Sequence, residues 1–302
     1  MQRFKTGRLA TNFAIGIFKI IAEIALTIFL TSFIIIFAKS YFFLFTPQWF
    51  DVFLNNYKRL LTHLIHFTEI RIRISQFKAQ SLTEVIIEPY SYTSILIICI
   101  LVLSIVVGVL LSLFTILLPE KLKKVVHQLA FFLESIPDVV LIFSIQLGII
   151  WIFKKSAVLL VNPIGGPQDV YLLPIIVTSI LPAIMLFQIT IISLEEEKDK
   201  AYVDFAYSKG LSTAWIIVIH IFRNVCVTVF SKIQFLLWFI ISNLLITEYL
   251  FNMRGLFSFI YRNLHSSEVL VICLLMIFLP LYFLDHVGKW ITNRLSGERG
   301  LV

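Results

Sequence analysis

Glu134, Asp138, Asn243 and Glu248 are the side chains best placed to do chemistry, because each stands inside a long apolar run. A charge held in lipid costs about 3 kcal/mol, so one retained there faces other helices or water. Such a group marks a solute pathway, a proton relay or a helix–helix contact. Glu134 and Asp138 are four residues apart, which on one helix sets both carboxylates on one face. A cation or proton site is the sharp reading; a pair facing neighbouring helices near one membrane surface is the plain one. His63 and His66 invite a metal, but no carboxylate or third histidine stands near them to complete a site, so they read as a polar helix face. Cys99, Cys226 and Cys273 lack ligand spacing and read as small apolar residues. No G-x-x-x-x-G-K-[ST], H-E-x-x-H or G-x-S-x-G occurs. The chain therefore has no nucleotide site, no catalytic pair and no cofactor of its own, and is not read as an enzyme.

These residues are carried by a chain that is 59% hydrophobic and only 14% charged, with mean hydropathy +0.94. A soluble domain has about 25% charged residues. The fold class is all-α, a polytopic membrane protein with six transmembrane helices, since about 20 apolar residues cross a bilayer. The spans are read as roughly 15–45, 93–118, 129–153, 171–194, 225–250 and 269–284. Pro137 is expected to kink the third. The first comes after a basic N-terminus and is too long for a cleavable signal core. The chain is read in four parts: 1–45, the basic segment and first span; 46–90, an extracytoplasmic helical segment; 91–295, the core with five spans and a cytoplasmic docking loop at 195–224; and 296–302, a cytoplasmic tail. Lysine and arginine number 13 in the segments read as inside (1–16, 118–127, 195–224, 285–302) and 10 outside (39–90, 154–170, 251–268). That bias has the expected sign but is modest, and the reading of both termini as cytoplasmic rests more on the short basic loop at 120–127 and on the docking loop. The net charge of +7 is the same cytoplasmic excess and needs no nucleic acid.

A polar interruption between spans that keeps a helical pattern is DKAYVDFAYSKGLSTAWIIVIHIFRN, Asp199 to Asn224. Ala201, Phe205, Ala206 and the run from Leu211 to Ile219 give it an apolar face at helical spacing, and Gly210 breaks it. The pattern predicts a short helix, a glycine turn and a second helix that runs into the next span. A structured hairpin at a membrane surface is more than a connector needs and points to a docking partner.

Asp204-Phe205-Ala206, three residues and then Gly210 resemble the acidic-Ala-Ala-x-x-x-Gly loop of ABC-transporter import permeases. Tyr202…Ala206…Ser208-Lys209-Gly210-Leu211-Ser212 and His220-x-x-Arg223-Asn224 resemble the peptide and nickel (oligopeptide/dipeptide) permeases, in their first-permease version. Ser135-Ile136-Pro137 and Thr247-Glu248-Tyr249-Leu250-Phe251 with Gly255-Leu256 are similar to further segments of that family. Phe205 replaces a usual small residue, and the Pro-Gly-Asp that commonly comes after the first span is missing. The resemblance implies the type I importer permease fold in a bacterial cell membrane, importing oligopeptides or dipeptides. The implied partners are a second homologous permease, two cytoplasmic ATPases that carry ATP and Mg, an extracytoplasmic solute-binding protein and the lipid bilayer. It implies ATPase docking by Tyr202, Asp204, Ala206, Lys209, Gly210, Leu211, Ser212, His220, Arg223 and Asn224, and a pathway near Glu134, Asp138, Asn243 and Glu248. The rival reading is an ion-coupled secondary transporter that uses those carboxylates.

Overall fold

In the computed structural model, residues 2–41, 46–75, 78–159, 161–166 and 169–295 are described. Six helices among them are long and apolar enough to cross a membrane: Lys19–Ser40, Leu82–Ile116, Asp138–Ser156, Leu172–Lys198, Thr213–Leu250 and Ser267–His286. The chain divides into two compact units, Met1–Ile87 with Phe259–Tyr282, and Glu88–Ser258 with Phe283–Val302.

In the first unit, α1 (Gln2–Ser40) and the first part of α11 (Ser267–Leu295) run antiparallel. Glu23 accepts from the Tyr282 hydroxyl at one end, and Lys39 Nζ donates to the His265 carbonyl at 2.7 Å at the other. The amphipathic α2 (Trp49–Ile65) packs Phe53 and Leu60 against Ile36 of α1 and Val271 of α11, with Trp49 and Tyr57 at the margin. Inward residues seven apart are two helical turns apart, so both fall on one stripe. The sequence pattern did not predict a β-hairpin in this unit. Arg71–Ser75 (β1) and Lys78–Ser81 (β2) nevertheless pair antiparallel, with the Leu82 N–H closing on the Ile70 carbonyl at 2.8 Å.

The second unit is built on α6 (Leu172–Lys198), whose Leu186, Phe187, Ile191 and Leu194 are fully buried. A helix apolar on every side belongs at the centre of a bundle. It packs most extensively against α9 (Phe222–Leu250) and also against α4 (Glu120–Glu134) and α5 (Asp138–Ser156). The second span, α3 (Leu82–Ile116), starts earlier than the sequence suggested and carries Pro89 near its beginning.

The structure corrects the expected third span, which does not run from Leu129 through a kinked Pro137. Residues 120–134 form a separate helix, Pro137 adopts an extended conformation (φ −59°, ψ 138°), and the span starts at Asp138. Proline has no N–H and pushes its predecessor away from helical geometry, so it starts a helix more readily than it sits inside one. The 15 residues of α4 reach only about 22 Å, less than a bilayer's hydrocarbon core. Glu134 and Asp138 therefore lie on different helices and do not share a face.

Candidate functional site

The polar interruption folds as a helical hairpin. α7 (Ala201–Ser208) ends at Lys209, Gly210 turns the chain at φ +77°, and α8 (Thr213–Trp215) continues through a π-helical turn, Ile216–Ile221, into α9. A positive φ disfavours any residue with a Cβ, which is why glycine serves there. Val203 and Ala206 of α7 and Ile216, Ile217 and Ile221 of the second arm are buried. Asp204, Phe205, Tyr207, Lys209, Ser212, Trp215, Val218, Ile219, His220 and Arg223 are exposed, and Leu211 is half-buried. The Lys209 ammonium lies 4.4 Å from the Phe205 ring centroid, a cation–π contact. A π turn widens the helix by one residue per bond and is often found at functional sites.

Glu197, in the last turn of α6, holds the hairpin's base together. Its Oε1 accepts from the Tyr202 hydroxyl at 3.0 Å and from Asn224 Nδ2 at 2.7 Å, and its Oε2 pairs with Lys200. Asn224 Nδ2 also lies 3.3 Å from the Tyr202 hydroxyl. One carboxylate thus ties the end of α6, the start of α7 and the start of α9. Burial, and then the bond to Glu197, hold the Tyr202 hydroxyl above the usual phenol pKa, so it stays a donor. Tyr202 and Asn224 were singled out by sequence, but Glu197 was seen only as one of three glutamates. The helical register offered a signal: Glu197 continues the buried stripe of Phe187, Ile191 and Leu194, while Glu195 and Glu196 fall on the exposed side.

The pathway candidates separate. Glu134 is exposed at the end of α4. Asp138 stands at the start of α5 and Asn243 on α9. Both line a crevice with Thr178 and Thr247 that has room for about one water. The Thr178 and Thr247 hydroxyls are 3.2 Å apart, and Thr247 donates to the Asn243 carbonyl at 2.9 Å.

Glu248 is fully buried one residue further on. It accepts from the Thr93 hydroxyl at 2.5 Å and from the Ser258 N–H at 2.9 Å, and Thr93 accepts from the Leu256 N–H at 2.7 Å. A Cβ at Gly255 would collide with this carboxylate. Glu248 thus serves the backbone at the start of α10 (Leu256–Arg262). His63 finds a carboxylate that sequence spacing hid, with its Nδ1 3.1 Å from Oε1 of Glu268. No group of three metal-binding side chains forms among the described residues.

Comparison with solved structures finds this fold in the MetNI methionine ABC transporter, crystallised in inward-facing conformations. The TM-score is 0.53 at 16% identity, over 70% of this chain and 95% of that one. A second crystal form gives 0.50 at the same identity and coverage. No curated protein matches the sequence. Residues 104–297 match the family described as the binding-protein-dependent transport system inner membrane component. That match takes in the hairpin, Glu197 and the Asp138–Asn243 cluster. The chain belongs to this family of type I ABC importer permeases, and it is a membrane transport subunit rather than an enzyme.

Proposed function

We propose that the hairpin from Ala201 to Asn224 is the joint through which cytoplasmic ATPases drive this permease, and that the solute is a peptide-like molecule delivered by an external binding protein. The observation that carries the proposal is the shape of the hairpin. It is pinned at its base by Glu197 and carries Phe205, Trp215, Val218 and Ile219 exposed along its two arms. Exposed aromatics on a rigid base suit an interface, because burying them costs little side-chain freedom. Asp204 and Lys209 supply the polar rim, Gly210 sets the angle between the arms, and His220 and Arg223 face outward beside them. In this reading both termini and the hairpin lie in the cytoplasm. A second homologous permease completes the pathway, and ATP and Mg stay on the ATPase pair. ATP-driven closure of that pair pulls the hairpin, and Glu197 passes the movement to α6 and α9.

The peptide class rests on the longer loop pattern around Tyr202–Ser212 and His220–Asn224. The MetNI likeness raises single amino acids as a second solute class. Asp138 and Asn243 are the candidates for the pathway; Glu134 is exposed, and Glu248 is bound to the backbone. Family membership displaces the ion-coupled carrier as the rival reading. The test is Gly210→Val in the full transporter. The variant is expected in the membrane at normal level, with ATPase co-purification and ATP-driven uptake both lost. Survival of both would overturn the docking role. Competition of labelled peptides against methionine for the cognate binding protein decides the solute.

A further inference from the structure

The first unit holds a polar cavity that the transport reading does not use. It measures about 310 Å3 and is lined by His63, His66, Ile70, Arg71, Ser266 and Glu268. Glu268 is matched within the protein: His63 Nδ1 is 3.1 Å from Oε1, the Ser266 hydroxyl donates to Oε2 at 3.1 Å, and the Lys39 charge acts on it. Arg71 and His66 are exposed on the lining. Arg71 gives that lining a fixed positive charge.

Its position points to the ligand. Lys39 lies in the last turn of α1 and Glu268 in the first turn of α11, so the cavity sits by the ends of two helices long and apolar enough to cross a membrane. Beside it Ile65 is 76% exposed, Leu264 51% and Phe67 49%. A site for a free anion needs no such apolar rim, whereas a lipid presents a charged head and acyl chains together. We propose that this cavity holds the phosphate headgroup of an anionic phospholipid. Arg71 binds the phosphate through its planar fork of donors, His66 supports it, and Ile65, Phe67 and Leu264 lie against the chains.

The test uses the full chain in nanodiscs of mixed phosphatidylglycerol and phosphatidylcholine, with retained lipid counted after detergent extraction. Wild-type protein is expected to keep phosphatidylglycerol selectively. Arg71→Gln should lower that retention about fivefold, the worth of one cation near a charged surface. Arg71→Lys, which keeps the charge but loses the fork, should fall between Arg71→Gln and wild type, and Lys58→Gln, on α2 and outside the cavity lining, should keep all of it. Equal retention of both lipids by wild type, or unchanged selectivity in Arg71→Gln, overturns the proposal. So does inorganic phosphate that binds lipid-depleted protein as tightly as phosphatidylglycerol does, since that marks a soluble anion as the ligand.

Discussion

Glu197 and Glu248 are the two buried carboxylates among the described residues, and they are held in opposite ways. Glu248 is bound mainly through Thr93 and the backbone that opens α10, and Gly255 leaves no room for it to move. Glu197 keeps a 12% exposed side chain and is bound by side chains alone: Tyr202, Asn224 and Lys200. Backbone donors are fixed by the fold, whereas side-chain donors can swing away through a rotamer change. Both carboxylates close a helix junction. One is fixed by backbone, as a stability element should be; the other is held by side chains that can let go, as the proposed coupling through the hairpin requires.

The comparison breaks most decisively at Glu248. Glu248→Leu leaves the Thr93 hydroxyl and the Ser258 N–H without their acceptor in a dry site, and should cost about 3 kcal/mol, read as a lower thermal midpoint in detergent. Gly255→Ala should cost nearly as much by driving a methyl into the carboxylate. Combined with Glu248→Ala, the Gly255→Ala change should add little, because its obstacle is gone. If the two losses simply add, Gly255 and Glu248 do not form a tight junction.

A weaker effect on stability, and a larger one on transport, belongs to Glu197. Glu197→Ala should cost about 1 kcal/mol, as its donors are near enough to water to be rehydrated. ATP-driven uptake should fall well beyond that loss. Glu197→Ala and Asn224→Ala should couple by about 1 kcal/mol in a double-mutant cycle of thermal unfolding. Coupling near zero would mean that the 2.7 Å bond is incidental.

What the sequence revealed tracks the range of the signal. Spans are local and composition-driven, and six helices among the described residues are long and apolar enough to cross a membrane. The hairpin's two arms and the turn at Gly210 are also local, written in helical periodicity and one glycine. The β-hairpin at 71–81 was missed because its strands are short and basic, and no Asn-Gly or Asp-Gly pair marks its turn. Pro137 was seen, but whether a proline kinks a helix or opens one depends on the neighbouring helices, not on the proline. The partners of Glu248 and His63 lie 155 and 205 residues away. Those pairings are set by packing, and a single sequence carries no trace of them. Glu197 lies between these cases: the buried stripe of α6 predicts its side, Lys200 and Tyr202 follow it within five residues, and Asn224, 27 residues on, is brought to it by the fold of the hairpin.

The smallest expected effect sharpens the same contrast through pH. Tyr202 has its folded pKa raised above 10.0, first by burial and then by donation to Glu197. A raised folded value means that the stabilisation is complete below the unfolded value and is lost as pH rises through the folded one. The Tyr202 bond should therefore be at full strength through neutral pH and fade only in the alkaline range, where a phenolate would face a carboxylate. Tyr202→Phe should cost about 0.5 kcal/mol at neutral pH, for one partly solvated neutral donor. The difference in thermal midpoint between wild type and Tyr202→Phe should then shrink above pH 10. Because Glu248 has no phenol among its donors, its variants should show no alkaline change of this kind. A difference that is flat with pH would remove Tyr202 from the lock and leave Asn224 and Lys200 as the groups that hold Glu197.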